Sequence, residues 1–138
     1  LYDAIGQAIS ATQAFIKGNQ AKSQVIFTIM TDGLENASTE NDRNKVFELI
    51  SNMESKGWKF VYLGANQDSW EAGANMGISL HGVSNYDASN PDSALRTLSE
   101  TSRRMRTSMR ENQYIDSIFT AEELENLNKN KNQWRRSQ

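Results

Sequence analysis

Val25-Ile26-Phe27-Thr28-Ile29-Met30-Thr31-Asp32-Gly33 is the stretch that decides the fold. Its first six residues are apolar apart from Thr28 and rich in β-branched side chains. They do not alternate with polar residues as a strand with one wet face would. A continuous apolar strand suits a parallel sheet covered by helices on both faces. The run then stops at Thr31-Asp32-Gly33, a carboxylate and a glycine just past the strand end. Open α/β sheets place their ligands at that end. The segment therefore predicts both a fold class and a position for chemistry.

The pattern on either side supports this reading. Leu1, Ile5, Ile9 and Phe15-Ile16 fall mostly at helical spacing, and Gly18-Asn19 stops the run. Thr39 with Asp42 reads as a variant capping box, followed by Val46, Phe47, Leu49, Ile50 and Met53 at spacings of three and four. Lys56-Gly57 closes that helix, with a cation on its negative end and then a residue free to take positive φ. Phe60-Val61-Tyr62-Leu63 is a second apolar strand, ending in Gly64. Ser69 reads as the cap of a short helix ending at Gly77, and 78–83 as a weak third strand.

Asn90-Pro91-Asp92 is a strong helix start. The helix it opens carries Leu95, Leu98, Met105 and Met109 as its apolar stripe. Thr120 and Glu123 form a further capping box before Leu124 and Leu127, and the chain beyond Asn128 reads as a frayed polar tail. The spacing predicts parallel strands near 25–30, 59–63 and 79–84, and helices near 2–17, 40–56, 69–76 and 91–111. The expected fold class is α/β, a small Rossmann-like doubly wound parallel sheet with right-handed crossovers.

The chain has 138 residues, enough for one domain with a real core, and no apolar run near bilayer-spanning length, so a soluble protein is expected. It begins at Leu1 with no signal peptide ahead, which reads as a piece processed or excised from something longer. It has no cysteine, which excludes disulfides, thiolate metal sites and a cysteine nucleophile and is compatible with a cytoplasmic location. The net charge of −2 is unevenly spread. Residues 1–92 hold 6 basic and 11 acidic residues, and residues 93–138 hold 9 and 6. The expected organisation is an α/β unit over 1–92 and a C-terminal helix with a polar helical tail over 93–138.

Asp32 is the sharpest candidate for chemistry, either as a ligand for a hard cation such as Mg²⁺ or Mn²⁺ or as a carboxylate that only caps a loop or the next helix. Thr31, Glu35, Asn36 and Ser38 supply further oxygens nearby. Other sites have less support. His81 is the only histidine and has no readable nucleophile beside it, so it reads as a surface or packing residue. There is no glycine-rich phosphate loop and no Walker lysine. Asn36-Ala37-Ser38 fits a glycosylation sequon that lacks the secretory context it needs. Arg96, Arg103, Arg104, Arg106 and Arg110 have no interleaved aromatics and read as a solvated helix face, not a nucleic-acid site. Trp58, Phe60, Tyr62 and Trp70 read as cover for the core, with Trp70 the one aromatic that could line the crevice.

Leu1-Tyr2-Asp3-Ala4-Ile5-Gly6, Val25 to Gly33 and Phe60-Val61-Tyr62-Leu63-Gly64, taken in order, resemble the later half of a von Willebrand factor A domain across roughly the first 85 residues. The resemblance implies a metal-ion-dependent adhesion site built from three loops: a D-x-S-x-S loop, a Thr loop just before a Leu-Tyr-Asp-Ala type of helix, and the Thr-Asp-Gly segment, whose Asp maps onto Asp32. No D-x-S-x-S occurs in this chain, and no Thr precedes Leu1. The resemblance thus implies a partial domain, with a Mg²⁺ or Mn²⁺ site that is incomplete here and binds weakly, if at all.

The leading functional expectation is a protein-binding module rather than an enzyme, with no membrane partner and no nucleic acid. The alternative is a small Rossmann-like enzyme domain handling nucleotides or phosphates. If the resemblance holds, the 25–30 strand lies at an edge with neither proline nor charge to protect it. That predicts a homodimer, exchange of an element with a neighbour, or attachment to an N-terminal half of the parent chain.

Overall fold

Phe60, Val61, Tyr62 and Leu63 are consecutive, and none is more than 1% exposed. Successive strand side chains point to opposite faces, so such a run requires cover on both sides of the sheet. The computed structural model describes residues 1–19, 24–33, 37–65, 68–115 and 117–128, and supplies that cover. The elements in chain order are helix α1 (Tyr2–Asn19), strand β1 (Ile26–Thr31), helix α2 (Arg43–Ser55), strand β2 (Lys59–Gly64) and helix α3 (Ser69–Asn75). A 3₁₀ turn (Leu80–Gly82), strand β3 (Val83–Asn85), helix α4 (Pro91–Arg110) and helix α5 (Ala121–Leu127) follow. No helix among the described residues is long and apolar enough to cross a membrane.

The strands form one open parallel sheet in the order β1-β2-β3. Ile26 lies opposite Lys59, Thr31 opposite Gly64, and Tyr62 opposite Val83. Both strand pairs are parallel, as the alternation of strands and helices predicts. On one face Phe60 and Tyr62 join Ile29, Ile5 and Ile9 of α1, and Val46, Ile50 and Met53 of α2. On the other, Val61 and Leu63 join Tyr86, Leu98 and Met105 of α4, and Phe119 and Leu127 from the α5 region. The result is an α/β arrangement with helices on both faces, compatible with a Rossmann-like fold.

Several local expectations need correction. Helix α2 begins at Arg43, three residues later than the spacing predicts. Its cap is Asp42, whose carboxylate accepts the Lys45 N–H at 2.8 Å, and Thr39 instead donates its own N–H to Asp3. Asp68 rather than Ser69 caps α3. The weak third strand shortens to Val83–Asn85 because Leu80–Gly82 turns first. Gly82 passes so close to β2 that a Cβ there would lie 2.2 Å from the Phe60 carbonyl oxygen, which leaves room only for glycine. On α4, Leu95 is 54% exposed, and the buried stripe is Ala94, Thr97, Leu98, Thr101 and Met105. At 100° per residue Ala94 lies nearer than Leu95 to the line through Leu98 and Met105. The tail from 129 onward falls outside the described residues.

The Thr120–Glu123 capping box forms with both of its hydrogen bonds. Glu123 does more than cap. Arg104 of α4 donates Nε to Glu123 Oε1 at 3.1 Å and Nη2 to Oε2 at 2.9 Å, and also bonds the Ile118 carbonyl. Burial pushes the Glu123 carboxyl upward. The hydrogen bonds from Arg104 and from the Thr120 N–H, with the Arg104 charge, outweigh that and hold it below the ordinary glutamate range. A lowered folded-state pKa means that the stability it contributes is complete above the unfolded value and is lost as pH falls through the folded one. Arg104 is about a third exposed, so screening trims the pair's worth. Glu123→Gln should cost about 1 kcal/mol at neutral pH by urea unfolding. The gap from wild type should close as both are acidified through and below the folded-state pKa of Glu123.

Candidate functional site

The carboxyl ends of the three strands meet in a hydrogen-bonded rim. The Thr31 carbonyl at the end of β1 accepts the Ala65 N–H at 3.0 Å. The Gly64 carbonyl at the end of β2 accepts the Tyr86 N–H at 3.1 Å and the Ser69 hydroxyl at 3.2 Å. Ser69, fully buried, also reaches Asn85 Oδ1 at 2.5 Å. This is why Ser69 does not cap its helix: its hydroxyl is turned inward to tie α3 to β2 and β3.

Asp32 follows the last residue of β1 and is exposed. The Thr31 hydroxyl folds forward, donating to the Gly33 carbonyl at 3.0 Å and accepting the Gly33 N–H at 3.3 Å, so it fixes the turn that presents the carboxylate. Tyr86, only 7% exposed, stands close enough to feel that charge. Burial first, and then the negative charge of Asp32, push its phenol above the ordinary tyrosine range.

The remaining oxygens proposed around Asp32 separate. Ser38 Oγ accepts the Asp3 N–H at 3.0 Å and the Leu1 amino group at 3.5 Å, so it is engaged at the start of α1. Glu35 and Asn36 lie outside the described residues. Among the described residues no group of three or more His, Asp or Glu side chains is placed to hold a metal ion. One exposed carboxylate does not make a cage for Mg²⁺ or Mn²⁺, and most of the coordination would fall to water. The described residues therefore fit a divalent cation at one ligand only.

A carboxylate that the sequence reading passed over is heavily hydrogen-bonded. Asp3 Oδ2 accepts the Thr39 N–H at 2.7 Å, and Oδ1 accepts the N–H groups of Glu40 at 3.0 Å and Asn41 at 2.7 Å. The Thr39 bond above all, then those of Asn41 and Glu40, hold its pKa low against the opposing effect of burial. Asp3 thereby clamps the loop before α2 onto the first turn of α1. An aspartate in a first helical turn already has a favourable dipole interaction there, so the sequence carries no sign of this second role.

Trp58, Phe60 and Tyr62 are buried as expected, but Trp70 is 47% exposed. His81 is exposed in the 3₁₀ turn, and its carbonyl accepts the Ile118 N–H at 3.3 Å. The α4 arginines are partly committed: Arg104 to Glu123, and Arg106 to the Ser102 carbonyl.

No family model, curated protein or solved structure matches this chain.

The coupling of Asp32 to Tyr86 can be read directly. Asp32→Asn removes the nearby negative charge and should lower the Tyr86 pKa while leaving it above the ordinary value, because burial remains. Titration of ¹³Cζ-labelled tyrosine by NMR, wild type beside Asp32→Asn, checks this.

Proposed function

We propose that this chain is a protein-binding module of the von Willebrand factor A type, using the carboxyl edge of its parallel sheet as the contact surface and Asp32 as the charged group at its centre. The observation that carries the reading is the exposed Asp32 carboxylate, held just beyond β1 by the Thr31 turn and next to a buried tyrosine. The parallel pairing of β1 with β2 and the position of Asp32 just past β1 are compatible with that reading. The divalent-metal site of that family is proposed here only as incomplete, with Asp32 its one ligand among the described residues. When bound, a divalent ion would supply a positive centre able to take a carboxylate from a partner protein. What the chain itself supplies is one carboxylate on a hydrogen-bonded rim. Ser69, Asn85 and the Gly64 carbonyl stiffen that rim rather than reach toward a ligand.

Paramagnetic Mn²⁺ tests the site with no partner in hand. Binding weaker than about 1 mM is expected from a single protein carboxylate. At millimolar Mn²⁺ the amide signals of Asp32, Gly33 and Tyr86 should broaden first, and Asp32→Ala should abolish that selectivity. Tight binding that survives Asp32→Ala would refute the assignment. Affinity capture in Mg²⁺ against chelator, with Asp32→Ala alongside, tests the protein-binding part. A partner retained equally in all three arms would count against it.

A further inference from the structure

At the amino end of β2, the opposite end of the sheet from Asp32, lies a cavity of about 210 Å³ that the reading above does not use. Its apolar wall is formed by Trp58, 8% exposed, and Ile118, 6% exposed. The Trp58 ring stacks on Phe60, which also lines the cavity, with centroids 6.2 Å apart and planes 24° from parallel. Glu54, Lys59 and His81 also line the cavity.

The two charges decide what this cavity fits. The Ser79 N–H donates to Glu54 Oε1 at 3.3 Å, which sets the carboxylate on one side. Lys59 is the first residue of β2, and its backbone N–H bonds the Val25 carbonyl at 2.9 Å, so its stem starts from a fixed point. Among the described residues neither Glu54 nor Lys59 makes an ion pair, with the other or with any third group, although both line one small space. A carboxylate-bearing and an ammonium-bearing residue that line one small space without pairing with each other are complementary to a ligand carrying both signs a few bonds apart. The volume falls below the roughly 300–1,000 Å³ of pockets for drug-sized ligands, which excludes a nucleotide and suits a molecule the size of one amino acid.

We propose that this cavity binds a free α-amino acid with an apolar side chain. Its ammonium meets Glu54, its carboxylate meets Lys59, and its side chain lies against Trp58 and Ile118. His81 at the rim offers a further polar contact to the carboxylate. The site is independent of the Asp32 edge and stands or falls separately from the function proposed above.

The test follows the Trp58 indole N–H by ¹⁵N NMR, with the signal assigned through Trp58→Phe. L-phenylalanine and L-leucine are titrated into the whole chain, beside 3-phenylpropionate, which carries only the carboxylate, and phenethylamine, which carries only the ammonium. The expected result is a saturable shift with the amino acids, at least tenfold weaker with either single-charge analogue. Lys59→Met should weaken phenylalanine at least fivefold and leave phenethylamine unchanged. Glu54→Gln, which keeps the acceptor for Ser79, should weaken phenylalanine likewise and leave 3-phenylpropionate unchanged. The dispersion of each variant's amide spectrum reports that it is folded. No saturable shift up to about 10 mM, or equal binding of all four ligands, would overturn the proposal. In the second case the cavity would be an apolar cleft blind to charge.

Discussion

Everything in this fold depends on covering β2 from both sides. Four consecutive side chains, Phe60 to Leu63, are buried, two on each face. Each is worth roughly 1.5–3 kcal/mol when fully removed from water. No single layer of helices can collect that energy. Helices α1 and α2 must lie on one face and α4 with α5 on the other, and each later feature is a device that keeps one of these layers in place.

The devices differ between the faces. On the first, Asp3 accepts three successive backbone N–H groups from residues 39–41, so the loop leading into α2 is fixed by α1 before α2 begins. On the second, Glu123 serves two roles with one carboxylate, capping α5 and pairing with Arg104 of α4. Both use a carboxylate to satisfy backbone donors at a helix start, where the dipole also favours negative charge. The strand ends are tied separately through Ser69, Asn85 and the Gly64 carbonyl. That leaves Asp32 as an exposed acid on an otherwise satisfied rim.

Much of the architecture was legible because burial on two faces leaves a plain mark, the unbroken apolar run at Phe60–Leu63; the run at Val25–Met30 marks a strand too, but it is only partly covered, with Ile29 buried and Thr28 exposed. The parallel pairing followed from the same pattern. The misread caps and ligands share one cause, which is that short polar side chains have several possible partners and sequence cannot rank them. Thr39, Ser69 and Ser38 all looked free for capping or ligation, yet the Ser69 and Ser38 hydroxyls are engaged elsewhere in the fold, and Thr39 is held through its backbone N–H by Asp3. The Leu95 error is geometric, since Ala94 is small enough to be overlooked as a core residue. The third strand was overextended because the approach of Gly82 to the Phe60 carbonyl is a tertiary constraint. Around the candidate site, the position of Asp32 was readable from the strand end, whereas the influence of Tyr86 on the same corner was not, because 54 residues separate them.

The sheet's asymmetry offers the most direct check. The Val25 and Thr31 carbonyls accept from Lys59 and Ala65, so the strand's two-residue period points the backbone groups of Phe27 and Ile29 toward β2 and those of Ile26, Thr28 and Met30 away from it. Among the described residues no strand pairs with that outer edge. Native-state hydrogen exchange followed residue by residue measures this in solution. The account predicts the slowest exchange at Val61 and Leu63, slow exchange at Phe27 and Ile29, and fast exchange at Ile26, Thr28 and Met30. Protection at Thr28 equal to that at Ile29, at a concentration where light scattering shows a monomer, would contradict it, because β1 would then have a second strand partner within the chain and β2 would not be the only centre of the sheet.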